Sequence, residues 1–290
     1  MANKETMTSR ERVLKSLSHE IPDRVPIDLG GFQTGIHRIA YERLINYLSI
    51  EDEITIMDPV QQLAKPCKEL LQRFHVDIRY ITAHGPDGFD GSIKHIQRNG
   101  RLWHDLSDEF GVVWSMPDDQ KLYMDISHHP LAEATIDDLA GQAGPLFSPD
   151  FYRKYVKPRQ KQLISHIKML SNAKIWYHTC GSCTEFIPDL IDIGIDILNP
   201  VQISAKNMSP RTLKQKFGDV LTFWGGGIDP QHDLPFATPD QIRKHVQKNI
   251  EIFMAGGGYI FNNVHNIQAE VPSENVISLF EAAYDYGFYK

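Results

Sequence analysis

From residue 148 to its end the chain alternates short apolar, β-rich runs with amphipathic stretches, and this order most constrains the fold. Helical spacing over 149–171 precedes a strand at 174–177, then a helix at 184–193 and a strand at 196–199. A helix at 209–217, a strand at 220–224, a helix at 238–254, a strand at 259–261 and a helix at 273–286 complete the series. Strands separated by helices pair in parallel through right-handed crossovers, so the fold class is α/β. Helix starts carry Ser148-Pro149, Ser209-Pro210, Thr238-Pro239 and Pro272-Ser273, while Gly218 and Gly256 fall just past helix ends.

The first half is less regular. Thr8 and Glu11 form a Thr-x-x-Glu capping box for a helix over 9–18. A buried strand is expected at 24–29, closed by Gly30 and Gly31, with helices at 37–49 and 59–74 and a strand at 76–81. The rhythm then breaks. Residues 93–96 and 101–103 flank Asn99-Gly100, the pair suited to a type I′ hairpin turn, and 111–114 and 121–124 read as two more strands. An antiparallel β excursion over 92–127 is therefore expected within a single domain spanning 1–290. His128 and His129 read as solvated surface.

No Gly-x-Gly-x-x-Gly opens a helix after a strand, which removes the dinucleotide-binding fingerprint. Polar residues instead follow several different strands: Asp28, His178, Cys180, Gln202, Asp229, Asn262 and His265. A ring of groups at strand C-termini is how a (β/α)8 barrel builds its site, so the expected architecture is TIM-barrel-like. Six barrel-type strands are countable where eight are needed, and the shortfall lies around 135–148. A barrel short of two strands exposes unpaired sheet edges, so it is expected to be incomplete or completed by a partner, and a homo-oligomer is a further expectation.

Charge and cysteine content narrow the setting. With 30 Lys plus Arg against 37 Asp plus Glu, the net charge of −7 withholds the attraction that drives non-specific nucleic-acid binding. No apolar stretch approaches the ~20 residues of a membrane span. The polar start and the three cysteines suit a reducing cytoplasm.

The sharpest local signal is His178-Thr-Cys180-Gly-Ser-Cys183, directly after a strand. Residues i and i+2 share a side while the chain stays extended, so His178 and Cys180 can aim a nitrogen and a sulfur at one ion. Zinc accepts mixed nitrogen and sulfur ligands, and a catalytic site needs only three from the protein. His265, beyond the last strand, is the candidate third ligand. Two other readings stay open: a redox pair at Cys180-x-x-Cys183 on a helix N-terminus, and plain packing of these residues under the rim. Asp28, Gln202, Trp224 and Asn263 are the substrate-binding candidates, whereas Asp229 reads as a loop cap and Gly225 to Gly227 as a turn.

Several segments together carry a family likeness. Arg10-Glu-Arg-Val-Leu-Lys-Ser-Leu17, Pro22-Asp-Arg-Val-Pro-Ile-Asp28, His178-Thr-Cys-Gly181, Gly194-Ile-Asp-Ile-Leu-Asn-Pro-Val-Gln202, Phe223-Trp-Gly-Gly-Gly227 and Gly257-Gly-Tyr-Ile-Phe261 resemble the uroporphyrinogen decarboxylase-like superfamily along nearly the whole chain. The resemblance implies a distorted (β/α)8 barrel and one of two activities. The decarboxylases use no metal; they bind the tetrapyrrole through an early Arg-Gln-Ala-Gly-Arg segment and a catalytic aspartate. Here Asp28-Leu-Gly-Gly-Phe-Gln33 replaces that segment, and no counterpart of the aspartate follows the second strand.

The cobalamin-dependent methyltransferases carry His-x-Cys after a strand and a late cysteine, which hold a zinc that activates a thiol. His178 and Cys180 match the first two positions. His265 stands at the late-cysteine position, judged by its spacing to Pro272-Ser-Glu-Asn275. The resemblance thus implies a zinc-dependent methyltransferase, working with methylcobalamin on a corrinoid partner protein and a small-molecule methyl acceptor or donor. The decarboxylase, or a defective barrel, is the alternative. Asp137-Asp-Leu-Ala-Gly-Gln142 reads like two family motifs joined with the intervening βα units gone.

Overall fold

The computed structural model describes residues 5–81, 87, 91–120, 122–128 and 138–290. The first helix, α1 (Ser9–Leu17), starts where Thr8 Oγ1 accepts from the Glu11 amide and the Glu11 carboxylate accepts from the Thr8 amide at 2.8 Å. Each side chain satisfies a backbone N–H that the helix leaves without a partner. A small antiparallel sheet follows, in the order β1 (Ile36–His37), β3 (Leu63–Ala64), β2 (Ile56–Asp58), with α2 (Arg38–Leu48) between β1 and β2. The helix expected over 59–74 is confined to α3 (Lys68–Arg73). Gln62, with φ 54°, turns the chain into β3, and Pro66 holds Lys65 out of helical conformation.

A four-stranded antiparallel sheet comes next: β4 (Lys94–Arg98), β5 (Arg101–Ser107), β6 (Val113–Pro117) and β7 (Asp125–His128), paired in that order. Asn99 and Gly100 both take positive φ between β4 and β5, the geometry of a type I′ turn. The strands expected at 111–114 and 121–124 begin later than their sequence suggests. Asp108 is the reason for the first shift: its carboxylate accepts from the amides of Phe110 and Val112 and from the Trp114 indole, making 108–112 a closed turn. Lys121 and His129 lie outside the described residues.

A short hairpin, β8 (Ala140–Gly141) and β9 (Gly144–Pro145), leads to α4 (Pro149–Phe151), a π-helical turn (Tyr152–Val156) and α5 (Lys157–Leu170). The single helix expected over 149–171 is thus broken. Pro158 has no N–H to give the Lys154 carbonyl, and the widened turn absorbs the defect.

The second half supplies a parallel sheet in sequence order: β10 (Trp176–His178), β11 (Ile197–Asn199), β12 (Thr222–Trp224) and β13 (Tyr259–Ile260). Their crossovers are α6 (Ile187–Asp192), α7 (Pro210–Phe217), and α8 (Asp233–Phe236) with α9 (Pro239–Phe253); α10 (Ser273–Tyr286) closes the chain. Both faces of β11, β12 and β13 are buried, as parallel sheets require, and β10 at the edge is half-buried. Leu198, Phe223 and Tyr259 face the helices, where Phe253 stacks on Tyr259 with centroids 5.1 Å apart. Ile197, Trp224 and Ile260 face the other way, packed with Trp176, Ile78, and Val13 and Leu17 of α1.

The α/β class therefore stands, with a different count. The expected strands at 24–29 and 76–81 are extended segments rather than ladders. Asp28 N donates to Phe261 O and Phe261 N to Pro26 O, and Asp77 N donates to Ile27 O at 2.8 Å. These contacts set residue 27 beside the end of β13 and residue 77 beside residue 27. Pro26 offers no donor, and Gly30 turns away with φ 111°, so neither ladder lengthens. No ring of eight strands forms among the described residues. No helix among them is long and apolar enough to cross a membrane.

Candidate metal centre

His178 ends β10, and its neighbour Thr179 stays in the sheet by donating its amide to Asn199 O at 2.8 Å. That extension carries Cys180 back to the face that His178 uses. The next residue must be glycine. Gly181 has φ 83°, and a Cβ there would meet Ala140 O at 2.3 Å. The turn is pinned on three sides: Cys180 N to Asp138 Oδ1 at 2.8 Å, Gly181 N to Gln202 Oε1 at 2.6 Å, and Ser182 N to Gly141 O at 2.8 Å.

His265 approaches from the loop after β13. Its neighbour Asn266 is buried and fixes that loop, accepting from Gly35 N at 2.7 Å and donating to Phe32 O and Gln61 Oε1. The two imidazoles meet edge to face, with centroids 5.7 Å apart. Ligand atoms of His178, Cys180 and His265 all lie within 4.8 Å of one another, and Cys180 Sγ is 3.6 Å from His178 Nε2. Tetrahedral zinc at normal bond lengths separates a nitrogen and a sulfur ligand by about 3.6 Å, so this pair has the spacing of a zinc edge. Burial, reinforced by the nearby His178, pushes the His265 imidazole down to about 4. It is neutral at neutral pH, the form that binds metal. The residues present fit a three-ligand zinc site.

Cys183 takes no part in it. It is fully buried, its thiol pushed up to about 12 by burial, and its Sγ faces Met208 Sδ at 4.0 Å. Such a thiol is a poor nucleophile and a poor ligand.

The trio opens into a cavity of about 700 Å³. The antiparallel sheet supplies one wall with Asp108, Glu109, Phe110 and Trp114, and the β2–β3 connection another with Asp58 and Gln61. Four carboxylates line it (Asp58, Asp108, Glu109 and Asp138), with no lysine or arginine among the described lining residues. Asp58 and Asp108 accept from amide and indole N–H groups. Among the described residues the lining is acidic.

The four substrate-binding candidates lie behind this lining rather than on it. Asp28 is buried, accepting from Tyr80 Oη and Trp224 Nε1. Gln202 braces Gly181, and Asn263 donates to His265 O. Asp229 caps its own loop, accepting from Gln231 and His232 amides. Two residues that touch the trio escaped the sequence reading. Asn199 bonds His178, and Asp138 holds the Cys180 amide. Only the strand-end position of Asn199, level with His178, hinted at either.

Residues 132–286 match the family described as Uroporphyrinogen decarboxylase (URO-D). The uroporphyrinogen decarboxylase of Chlamydia caviae is 32% identical over 238 residues, covering 81% of this chain and 68% of that protein. The methylcobamide:CoM methyltransferase of Methanosarcina mazei is 27% identical over 145 residues, 49% of this chain and 39% of its own length. A solved methyltransferase from Methanosarcina mazei overlays 49% of this chain and 38% of its own at 23% identity with a TM-score of 0.39, too loosely to bear on the fold.

Proposed function

The chain belongs to the uroporphyrinogen decarboxylase (URO-D) family, and we propose that within it this is a zinc-dependent methyltransferase, moving a methyl group between a corrinoid protein and a thiol or similar acceptor. The observation that carries the reading is the convergence of His178, Cys180 and His265 on one point at the cavity floor. These three side chains would hold the ion. Bound there, zinc supplies a lowered proton affinity to an acceptor thiol, keeping it as thiolate at neutral pH.

The chain's own groups do the rest. Asn266 holds the His265 loop, and Asp138 and Gln202 hold the Cys180 turn, so the donor atoms need little rearrangement. The antiparallel sheet and the β2–β3 connection enclose the acceptor, and the open side of the cavity receives the corrinoid partner. Three cysteines, none in a disulfide among the described residues, fit a cytoplasmic setting.

A second reading, a decarboxylase acting on a porphyrinogen, is favoured by the 32% identity to a protein of that name. The cavity opposes it. A porphyrinogen carries several carboxylates, and four acidic side chains with no described arginine or lysine repel them.

Zinc content decides between the readings. Protein purified without added metal should carry close to one zinc per chain, lost in His178→Ala. Absence of zinc from the wild type would overturn the methyltransferase and leave the metal-free lyase.

A further inference from the structure

Asn199 is the last residue of β11, fully buried, and stands directly opposite His178 in the register of β10 and β11. Its amide has two partners. Nδ2 donates to the carbonyl of Trp224 at 3.1 Å, and Oδ1 lies 2.8 Å from His178 Nδ1. The Trp224 carbonyl settles which end of the amide is which, because only the NH2 end can satisfy an acceptor. The oxygen must then face the imidazole, and an oxygen there requires the hydrogen to sit on Nδ1. With Nδ1 protonated in the neutral ring, Nε2 keeps its lone pair, and Nε2 is the nitrogen 3.6 Å from Cys180 Sγ.

We infer that Asn199 is the positioning residue of the candidate metal centre, locking His178 in the Nδ1–H tautomer and aiming its Nε2 lone pair at the point shared with Cys180 and His265. The lock is built from three adjacent strand ends. Trp224 closes β12, Asn199 closes β11, and His178 closes β10, so one chain of hydrogen bonds crosses the sheet at the level of the site. A free neutral histidine prefers the other tautomer only weakly, so a single buried acceptor is enough to choose between them. The same contact fixes the ring's rotation. In metal sites such outer partners change affinity by roughly 10–100-fold when removed.

The inference deepens the zinc reading above and rests on it for its purpose, but its first test needs no metal. Long-range ¹H–¹⁵N spectra of metal-free, ¹⁵N-histidine-labelled protein at mildly alkaline pH report the tautomer directly. Wild type should show His178 protonated on Nδ1, and Asn199→Ala should show a mixture of tautomers or Nε2–H. Asn199→Asp keeps an acceptor toward Nδ1 and should restore the wild-type pattern. Zinc affinity, measured by competition with a chromogenic chelator, should fall roughly 10–100-fold in Asn199→Ala and recover at least in part in Asn199→Asp.

A wild-type His178 found protonated on Nε2 overturns the inference whatever the variants do. So does an Asn199→Ala protein that keeps the Nδ1–H form and binds zinc within about twofold of wild type. Wild type that shows the Nδ1–H form yet binds no zinc overturns the methyltransferase reading while leaving the role of Asn199 standing.

Discussion

The indole N–H of Trp224 donates to Asp28 Oδ2 across 2.8 Å, joining two segments that β13 separates in the sheet. Tyr80 donates to the same oxygen at 2.7 Å, and Oδ1 has no partner among the described residues. Complete burial raises the Asp28 carboxyl from 3.8 to about 6, against the opposing pull of these two donors.

That shift has a signed consequence for stability. The group's favourable contribution is fully present below pH 3.8 and is lost as pH rises through 6, leaving a cost of roughly 3 kcal/mol at neutral pH. Asp28→Asn does not titrate. Its stability relative to wild type should therefore improve by up to about 3 kcal/mol between about pH 4 and about pH 7, as read from urea midpoints across that range. Parallel pH profiles for the two proteins would show that Asp28 stays ionised.

Asp77 holds two buried guanidiniums. Its carboxylate meets Arg12 Nη1 at 2.5 Å and Arg24 Nη1 at 2.7 Å, and also accepts the Ile27 amide at 2.9 Å. This cluster ties α1 to the segments around residues 27 and 77. Asp77→Ala leaves Arg12 with Asp23 and Arg24 with the half-buried Glu5, so it should lose about 3 kcal/mol, the low end for a broken buried pair. With Arg24 gone, Asp77 keeps Arg12 as a partner, so Arg24→Met, which removes one of the two cations together with its charge, should cost less than Asp77→Ala. An Asp77→Ala protein with an unchanged denaturation midpoint would mean that the cluster is hydrated.

His265 changes the charge of the proposed centre. Two imidazoles and one thiolate leave bound zinc with one positive charge, where one imidazole and two thiolates would leave none. His265→Cys should keep about one zinc per chain, and His265→Ala should lose most of it, as measured by elemental analysis after dialysis. Equal zinc in both variants would remove His265 from the ligand set.

The legible parts of this site were local ones. His178 and Cys180 could be paired from the sequence because a strand end fixes the relation between i and i+2 over two residues. Asn199 could not be assigned, since its role depends on the register between β10 and β11, on the Trp224 carbonyl one strand further, and on a buried amide whose direction no spacing encodes. The same limit explains the errors in the fold. Leu63, Leu70, Leu71 and Phe74 carry helical spacing, yet one turn at Gln62 and one proline at 66 divide them between a strand and a short helix. Residues 24–29 and 76–81 have strand composition, but the number of ladder bonds they form is set by neighbours far along the chain.

The two cysteines of the Cys-x-x-Cys run occupy opposite environments, which separates the metal reading from the redox one. Cys180 is half-buried at the cavity, whereas Cys183 is sealed against Met208 with its thiol pushed up to about 12. Brief iodoacetamide treatment of native, metal-free protein, followed by peptide mapping, should label Cys180 and spare Cys183 until denaturant is added. Zinc should protect Cys180, and Cys183→Ala should leave the zinc content unchanged. A Cys180–Cys183 disulfide formed readily by a mild oxidant in the folded protein would instead make the pair a redox dithiol and overturn the assignment of Cys180 as a standing ligand.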